Sequence, residues 1–158
     1  MKLFQRLGIH SLFFSTKDKQ LATSIQLILG SKPFNLSLYR LALTPAGLGE
    51  ETDKGFRKSN ERLEFLGDGI LECVTKYVLY RRFPKGNEGF MTEKKIAIVK
   101  NEAIGKIALE MGLHKWLILS RNAEEKKTRT NLKKLGCLFE SFIGALFLDF
   151  NKIVVHDE

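Results

Sequence analysis

Three carboxylates, Glu61, Glu64 and Asp68, recur at i, i+3 and i+7 within the run Asn60-Glu61-Arg62-Leu63-Glu64-Phe65-Leu66-Gly67-Asp68. On a helix this spacing stacks them on one face, and Glu72 prolongs the stripe. Like charges this close repel, so the stripe fits either a solvated acidic face or a site for a cation or a basic partner. A second candidate, Glu140, stands in the strongly apolar stretch Leu135 to Phe150 among Phe139, Phe142, Ile143, Leu146 and Phe147. A carboxylate in such surroundings is costly unless it is partnered. Hard Mg²⁺ or Mn²⁺ prefers oxygen ligands carried on rigid elements. Two such ions about 4 Å apart hydrolyse phosphodiesters, one activating water and the other stabilising the leaving oxygen. Spacing alone does not bring the two stretches together.

The elements that must do so read as helices throughout. Leu21, Ile25, Ile28 and Leu29 follow helical spacing from Asp18 to Leu29, with Gly30 and Pro33 as stops. A short helix over Asn35 to Leu43, capped by Asn35 or Ser37, breaks at Pro45, and residues 46–58 with Gly47, Gly49 and Gly55 form a loop. The acid-striped helix runs from a cap at Ser59 or Asn60 to Phe83, with Leu63, Leu66, Ile70, Val74 and Tyr77 as its core side. Pro84, Gly86 and Gly89 end it. Thr92 caps a further helix whose core stripe is Ile96, Val99, Ile104, Ile107 and Met111, stopped by Gly112. Residues 121–134 carry six basic residues against two acids and almost nothing apolar, a solvated connector in which Arg129, Lys126 and Lys127 are candidates for phosphate contacts. No stretch alternates like a strand for long, so the expected class is all-α.

At 158 residues and 44% hydrophobic content, one domain with a single core is expected. The formal charge of +8, from 26 Lys and Arg against 18 Asp and Glu, suits a nucleic-acid enzyme in which a basic surface surrounds an acidic pocket. Charge alone suits a ribosome-associated protein equally. Cys73 and Cys137 have neither metal-ligand spacing nor a disulfide framework, which points to a reducing compartment such as the cytoplasm. No apolar stretch approaches the roughly 20 residues of a membrane span. Residues 1–17 contain Lys2, Arg6, Ser11, Ser15 and Thr16 but no acid, a pattern that fits a mitochondrial or other organellar transit segment as well as a plain N-terminal extension.

The run Asn60 to Asp68 resembles the signature of the ribonuclease III family, the double-stranded RNA endonucleases. Further blocks match in the family's order: Leu38-Tyr39-Arg40-Leu41-Ala42-Leu43-Thr44, Phe83-Pro84, Glu88-Gly89-Phe90-Met91-Thr92, and Phe139-Glu140-Ser141-Phe142-Ile143-Gly144-Ala145-Leu146-Phe147-Leu148-Asp149. The resemblance implies an all-α catalytic domain over residues 18–158, a two-fold homodimer with a valley for duplex RNA, and Mg²⁺- or Mn²⁺-dependent cleavage leaving short 3′ overhangs. It assigns Glu64, Asp68 and Glu140 as metal ligands, with Asp68 and Glu140 catalytic, Glu61 and Glu88 as supporting acids, and Phe65 as a dimer contact. Phe65 lies near the acidic stripe on the helical wheel, away from the core side, and a large aromatic there calls for a covering surface, either a partner subunit or a loop of its own chain.

Two departures accompany the resemblance. The family places an Asp ligand three residues before the last-block Glu, and here that position is Cys137. A thiol is a weak ligand for Mg²⁺ and the site loses a negative charge, so weaker binding with a shift toward Mn²⁺ or a softer ion is expected. The alternative is a catalytically weakened or inactive dimeric RNA-binding or ribosome-associated protein. No separate double-stranded-RNA-binding domain follows the last block, so RNA affinity is expected from the domain's basic surface and dimer avidity.

Overall fold

The computed structural model describes residues 15–51 and 53–153. Most of the segment 1–17, with its transit-peptide reading, lies outside them. The chain divides into two compact units, Met1–Leu36 and Ser37–Glu158. In the first unit, helix α1 spans Thr16–Leu29. It starts ahead of the expected Asp18 because Ser15 and Asp18 form a reciprocal capping box, and Gly30, at φ 73°, supplies the left-handed stop.

In the second unit the helices are α2 (Leu36–Ala42, its first residue preceding the division), α3 (Glu61–Arg82), α4 (Glu88–Val99), α5 (Asn101–Glu110), α6 (Arg121–Glu125) and α7 (Leu132–Phe150). Single 3₁₀ turns occupy Leu113–Trp116 and Thr128–Thr130. Among the described residues there is no strand beyond an isolated bridge between Glu51 and Arg57, in agreement with the all-α expectation.

Helix α7 is the central element, packed against both α3 and α5. Leu135, Leu138, Phe142 and Ala145 are sealed from solvent on it, each large side chain contributing about 1.5–3 kcal/mol of burial. Tyr39 of α2 is fully buried against Phe142, their ring centres 5.7 Å apart, and its hydroxyl donates to Asp149 Oδ2 at 2.8 Å. Burial and the neighbouring carboxylate hold the Tyr39 hydroxyl in its protonated form.

The structure corrects several expectations. The helix expected to start at Thr92 begins at Glu88, where the Asn87 side chain caps the Phe90 amide at 2.9 Å, and Thr92 lies inside it. The single helix expected from there to Met111 is two, because Lys100 turns extended at ψ 143° between α4 and α5. Its continuous core stripe fails accordingly: Ile104 is buried, but Ile96 and Ile107 are exposed and α4 buries no residue. On α3 the buried line is Leu63, Gly67, Thr75 and Leu79, while Val74 and Tyr77 of the expected core side face solvent. Cys73, on the same helix, is exposed as a free thiol.

Candidate metal centre

Glycines set the distances here. A Cβ placed on Gly67 of α3 would lie 1.7 Å from the Glu140 carbonyl oxygen of α7, and one on Gly144 would lie 2.2 Å from that of Leu63. The two backbones therefore touch, and only hydrogen side chains permit it. Two turns nearer the start of α7, a Cβ on Gly136 would stand 2.6 Å from the Asn101 carbonyl oxygen, and one on Gly105 of α5 would stand 2.1 Å from that of Leu132. Gly136, Glu140 and Gly144 follow one another at i, i+4 and i+8, so α7 presents Glu140 between its two close crossings.

The start of α3 is fixed independently. Asn60 occupies the N-cap position but makes no side-chain cap; its Nδ2 donates instead to the Ala42 carbonyl at 3.1 Å, and its backbone amide donates to Thr44 O at 2.8 Å. From this anchored end Glu61, Glu64 and Asp68 rise along one side of α3. Glu64 is half-buried, and Glu61 and Asp68 are exposed.

The result is an open cleft of about 520 Å³ lined by Glu61, Glu64, Phe65, Asp68, Asn101 and Glu140. Glu140 is only 8% exposed. Burial pushes its carboxyl up to about 7, with the charges of Asp68 and Glu64 adding to the shift. No cation, hydrogen bond or ion pair offsets it among the described residues.

Ligand atoms of Glu64, Cys137 and Glu140 lie within 4.8 Å of one another. Asp68, expected among the metal ligands, stands outside that group but lines the same cleft and acts on Glu140 through its charge. Cys137 faces the cluster: Asn101 Nδ2 approaches its Sγ at 3.8 Å, and its thiol donates to Glu64. Burial pushes that thiol up to about 11, Glu64 and Glu140 add to the shift, and Lys134 opposes it. Uncompensated negative charge around a buried carboxylate is the chemistry of a cation site.

Other candidates lie elsewhere. Glu61 sits at the rim, accepting from Ser59 Oγ at 2.9 Å. Glu88 is exposed in the first turn of α4 and does not line the cleft. Phe65 is 84% exposed at the cleft edge. The connector is structured rather than loose, and Arg129 is its pin: Nη1 donates to the carbonyls of His114 at 2.6 Å and Leu117 at 2.8 Å, while Nε and Nη2 hold Glu124. That guanidinium is engaged within the chain on all three nitrogens.

Two contributors escaped the sequence reading. Asn101 looked like an ordinary polar residue inside one long helix, and Lys134 like one more charge in a basic run. Glu72, which prolonged the stripe, is taken by Lys95 at 2.5 Å and Lys76 at 3.6 Å, so it serves the α3–α4 packing.

The family model of the ribonuclease III domain matches residues 61–151, which contain all of these acids. The chain belongs to the ribonuclease III family. Among curated members, Ribonuclease 3 of Bacteroides thetaiotaomicron is 38% identical over 133 residues, covering 84% of this chain and 42% of that protein. Ribonuclease 3 of Azobacteroides pseudotrichonymphae is 35% identical over 136 residues, covering 86% and 50%. The chain thus spans about half the length of these curated relatives. Among solved structures, the nuclease domain of ribonuclease III from Campylobacter jejuni superposes with a TM-score of 0.71 at 28% identity, covering 80% of this chain and 84% of that one. Dicer from Pichia stipitis gives a TM-score of 0.52 at 26% identity over 73% of this chain and 46% of its own. Set beside these, the all-α architecture of this ribonuclease III domain matches the expectation from its sequence.

Proposed function

We propose that this chain is a divalent-metal-dependent endoribonuclease that cleaves double-stranded RNA by phosphodiester hydrolysis and acts as a two-fold homodimer. The observation that carries the reading is Glu140, a buried carboxylate without a cationic partner, facing Glu64 and Asp68 across a cleft open to a polymer.

The carboxylate donors fit a divalent cation. Glu64, Asp68 and Glu140 supply carboxylate oxygens from two helices whose spacing the glycines lock, and Asp68 and Glu140 are the groups assigned to the chemistry. An ion bound there would supply an activated water and stabilise charge on the leaving oxygen. The protein's own work is to hold these carboxylates in place without hindering access by a duplex. Glu61 steadies the rim, and Lys126, Lys127 and Lys134 offer phosphate contacts, consistent with the net charge of +8.

Dimerisation is supported by the apolar side chains that α3 and α4 leave exposed, Phe65 foremost, followed by Tyr77, Tyr80 and Ile96. In the Campylobacter jejuni nuclease domain the region involved in dimer formation is structurally flexible. Glu88, exposed at the start of α4, belongs in this reading to the dimer contact rather than to the cleft. The two Ribonuclease 3 relatives named above are bacterial, which favours the cytoplasm over an organelle; no helix among the described residues is long and apolar enough to cross a membrane.

Cys137 favours a second reading, a weakened or inactive member that binds RNA without cutting it. One experiment decides: long duplex RNA is incubated with the purified chain and Mg²⁺ or Mn²⁺, beside Glu140→Ala and Cys137→Asp variants. Cleavage that Glu140→Ala abolishes establishes the enzyme. Cleavage gained only with Cys137→Asp supports the second reading, and none by either protein refutes the first.

A further inference from the structure

The thiol of Cys137 stands inside the ligand cluster, within 4.8 Å of ligand atoms of Glu64 and Glu140. The cluster faces an open cleft and includes a carboxylate that is more than nine-tenths buried and has no partner. We propose that Glu64, Cys137 and Glu140 form a mixed carboxylate–thiolate site that selects a borderline ion of the Zn²⁺ and Co²⁺ class over Mg²⁺. The proposal rests on the reading of the cleft as a metal centre.

Donor type decides the preference. Mg²⁺ demands near-octahedral oxygen ligation and gives up its water reluctantly, so a sulfur in the cluster removes one favourable ligand and adds nothing. Zn²⁺ and its neighbours accept four-coordinate mixtures of sulfur and oxygen, and three protein ligands with one open position is the arrangement of their catalytic sites. Ligand atoms around a tetrahedral zinc stand roughly 3.5 Å apart, so the observed cluster closes onto such an ion by rotation of the Glu64 and Glu140 side chains. When the sulfur binds, the thiol proton passes to solvent and the thiolate donates its electron pair to the ion. Asn101, whose Nδ2 already points at Sγ, is placed to hydrogen-bond the thiolate and orient it.

Co²⁺ is the probe, because thiolate ligation gives it an intense near-ultraviolet charge-transfer band that oxygen ligation lacks. Titrations use the full chain in a Cys73→Ser background, which removes the exposed thiol, and add Cys137→Ser and Cys137→Asp to it, with affinities from calorimetry. The expected result is a charge-transfer band in the background protein that disappears in both Cys137 variants. Loss of the sulfur in Cys137→Ser should weaken Co²⁺ binding by at least the roughly 10- to 100-fold seen when outer-sphere partners are removed. Cys137→Asp should bind Mg²⁺ at least about tenfold more tightly than the background protein. Co²⁺ binding without the band, easily displaced by Mg²⁺, overturns the proposal and leaves the metal centre standing. Binding of Mg²⁺ by Cys137→Asp, with no ion bound by the background protein, also overturns it, and the acidic cleft then survives as a disabled site. Absence of binding in every variant refutes both the proposal and the metal centre on which it depends.

Discussion

Glu140 carries a measurable liability in the metal-free protein. Its carboxyl is held up to about 7 against an ordinary 4.5, so below pH 4.5 it is protonated whether the chain is folded or not, and burial costs little. As pH rises from 4.5 to 7 the unfolded chain releases the proton while the folded one retains it, and the fold loses stability across that window. The loss reaches at most about 3 kcal/mol above pH 7. Metal-stripped protein should therefore melt progressively lower between those values, Glu140→Gln should flatten this part of the profile, and a bound divalent ion should restore the neutral-pH melting temperature. A profile unchanged by Glu140→Gln would show that the carboxyl is solvated in solution. Arg129 offers a second test at the same scale. Its guanidinium joins Glu124 to two backbone carbonyls, so Arg129→Ala should cost about 1–3 kcal/mol in urea denaturation, whereas Lys127→Ala should leave stability nearly unchanged.

Helix positions were legible where apolar periodicity and punctuation agreed. Helix α7 and both ends of α3 follow the sequence closely because a long apolar run, Asn60 and Pro84 leave few alternatives. The break between α4 and α5 was invisible, since a single change of ψ at Lys100 involves neither Gly nor Pro. The exposed faces of α3 and α4 misled in the same way: Val74, Tyr77 and Ile96 have core chemistry, and periodicity cannot say whether a chain covers its own apolar stripe. Nor could it show that the acidic stripe and Glu140 meet, because that depends on backbone contact at Gly67 and Gly144. This contact predicts opposite outcomes for two neighbouring glycines. Gly67→Ala puts a methyl carbon 1.7 Å from a backbone carbonyl oxygen that cannot swing away, forcing α3 and α7 apart at a cost of about 1–3 kcal/mol or more. Gly69→Ala meets nothing within 4 Å and relieves a mid-helix glycine, which should stabilise by about 0.5–1 kcal/mol. Chemical denaturation of the two variants reads both signs, and equal effects would mean that the helices are not in contact at Gly67.

Across the molecule, two properties remain to be reconciled: a net charge of +8 that keeps copies apart, and apolar side chains on α3 and α4 that draw them together. A homodimer resolves them if the apolar faces meet and the basic surface stays free for the duplex. Phe65 makes this testable, because at 84% exposure it stabilises little within its own chain yet sits beside the acidic cleft. Sedimentation at micromolar concentration should give twice the chain mass of 18.0 kDa. Phe65→Glu should shift the protein to monomer, leave its helical circular dichroism intact, and reduce cleavage of long duplex RNA at least about tenfold, since a desolvated charge in the contact costs more than 1.4 kcal/mol. Salt separates this effect from RNA affinity. Raising ionic strength weakens phosphate contacts, steeply reducing RNA binding by parent and variant alike, while strengthening apolar association between copies. A parent that sediments as a monomer at every concentration and salt would remove the dimer, and with it the role assigned to Phe65.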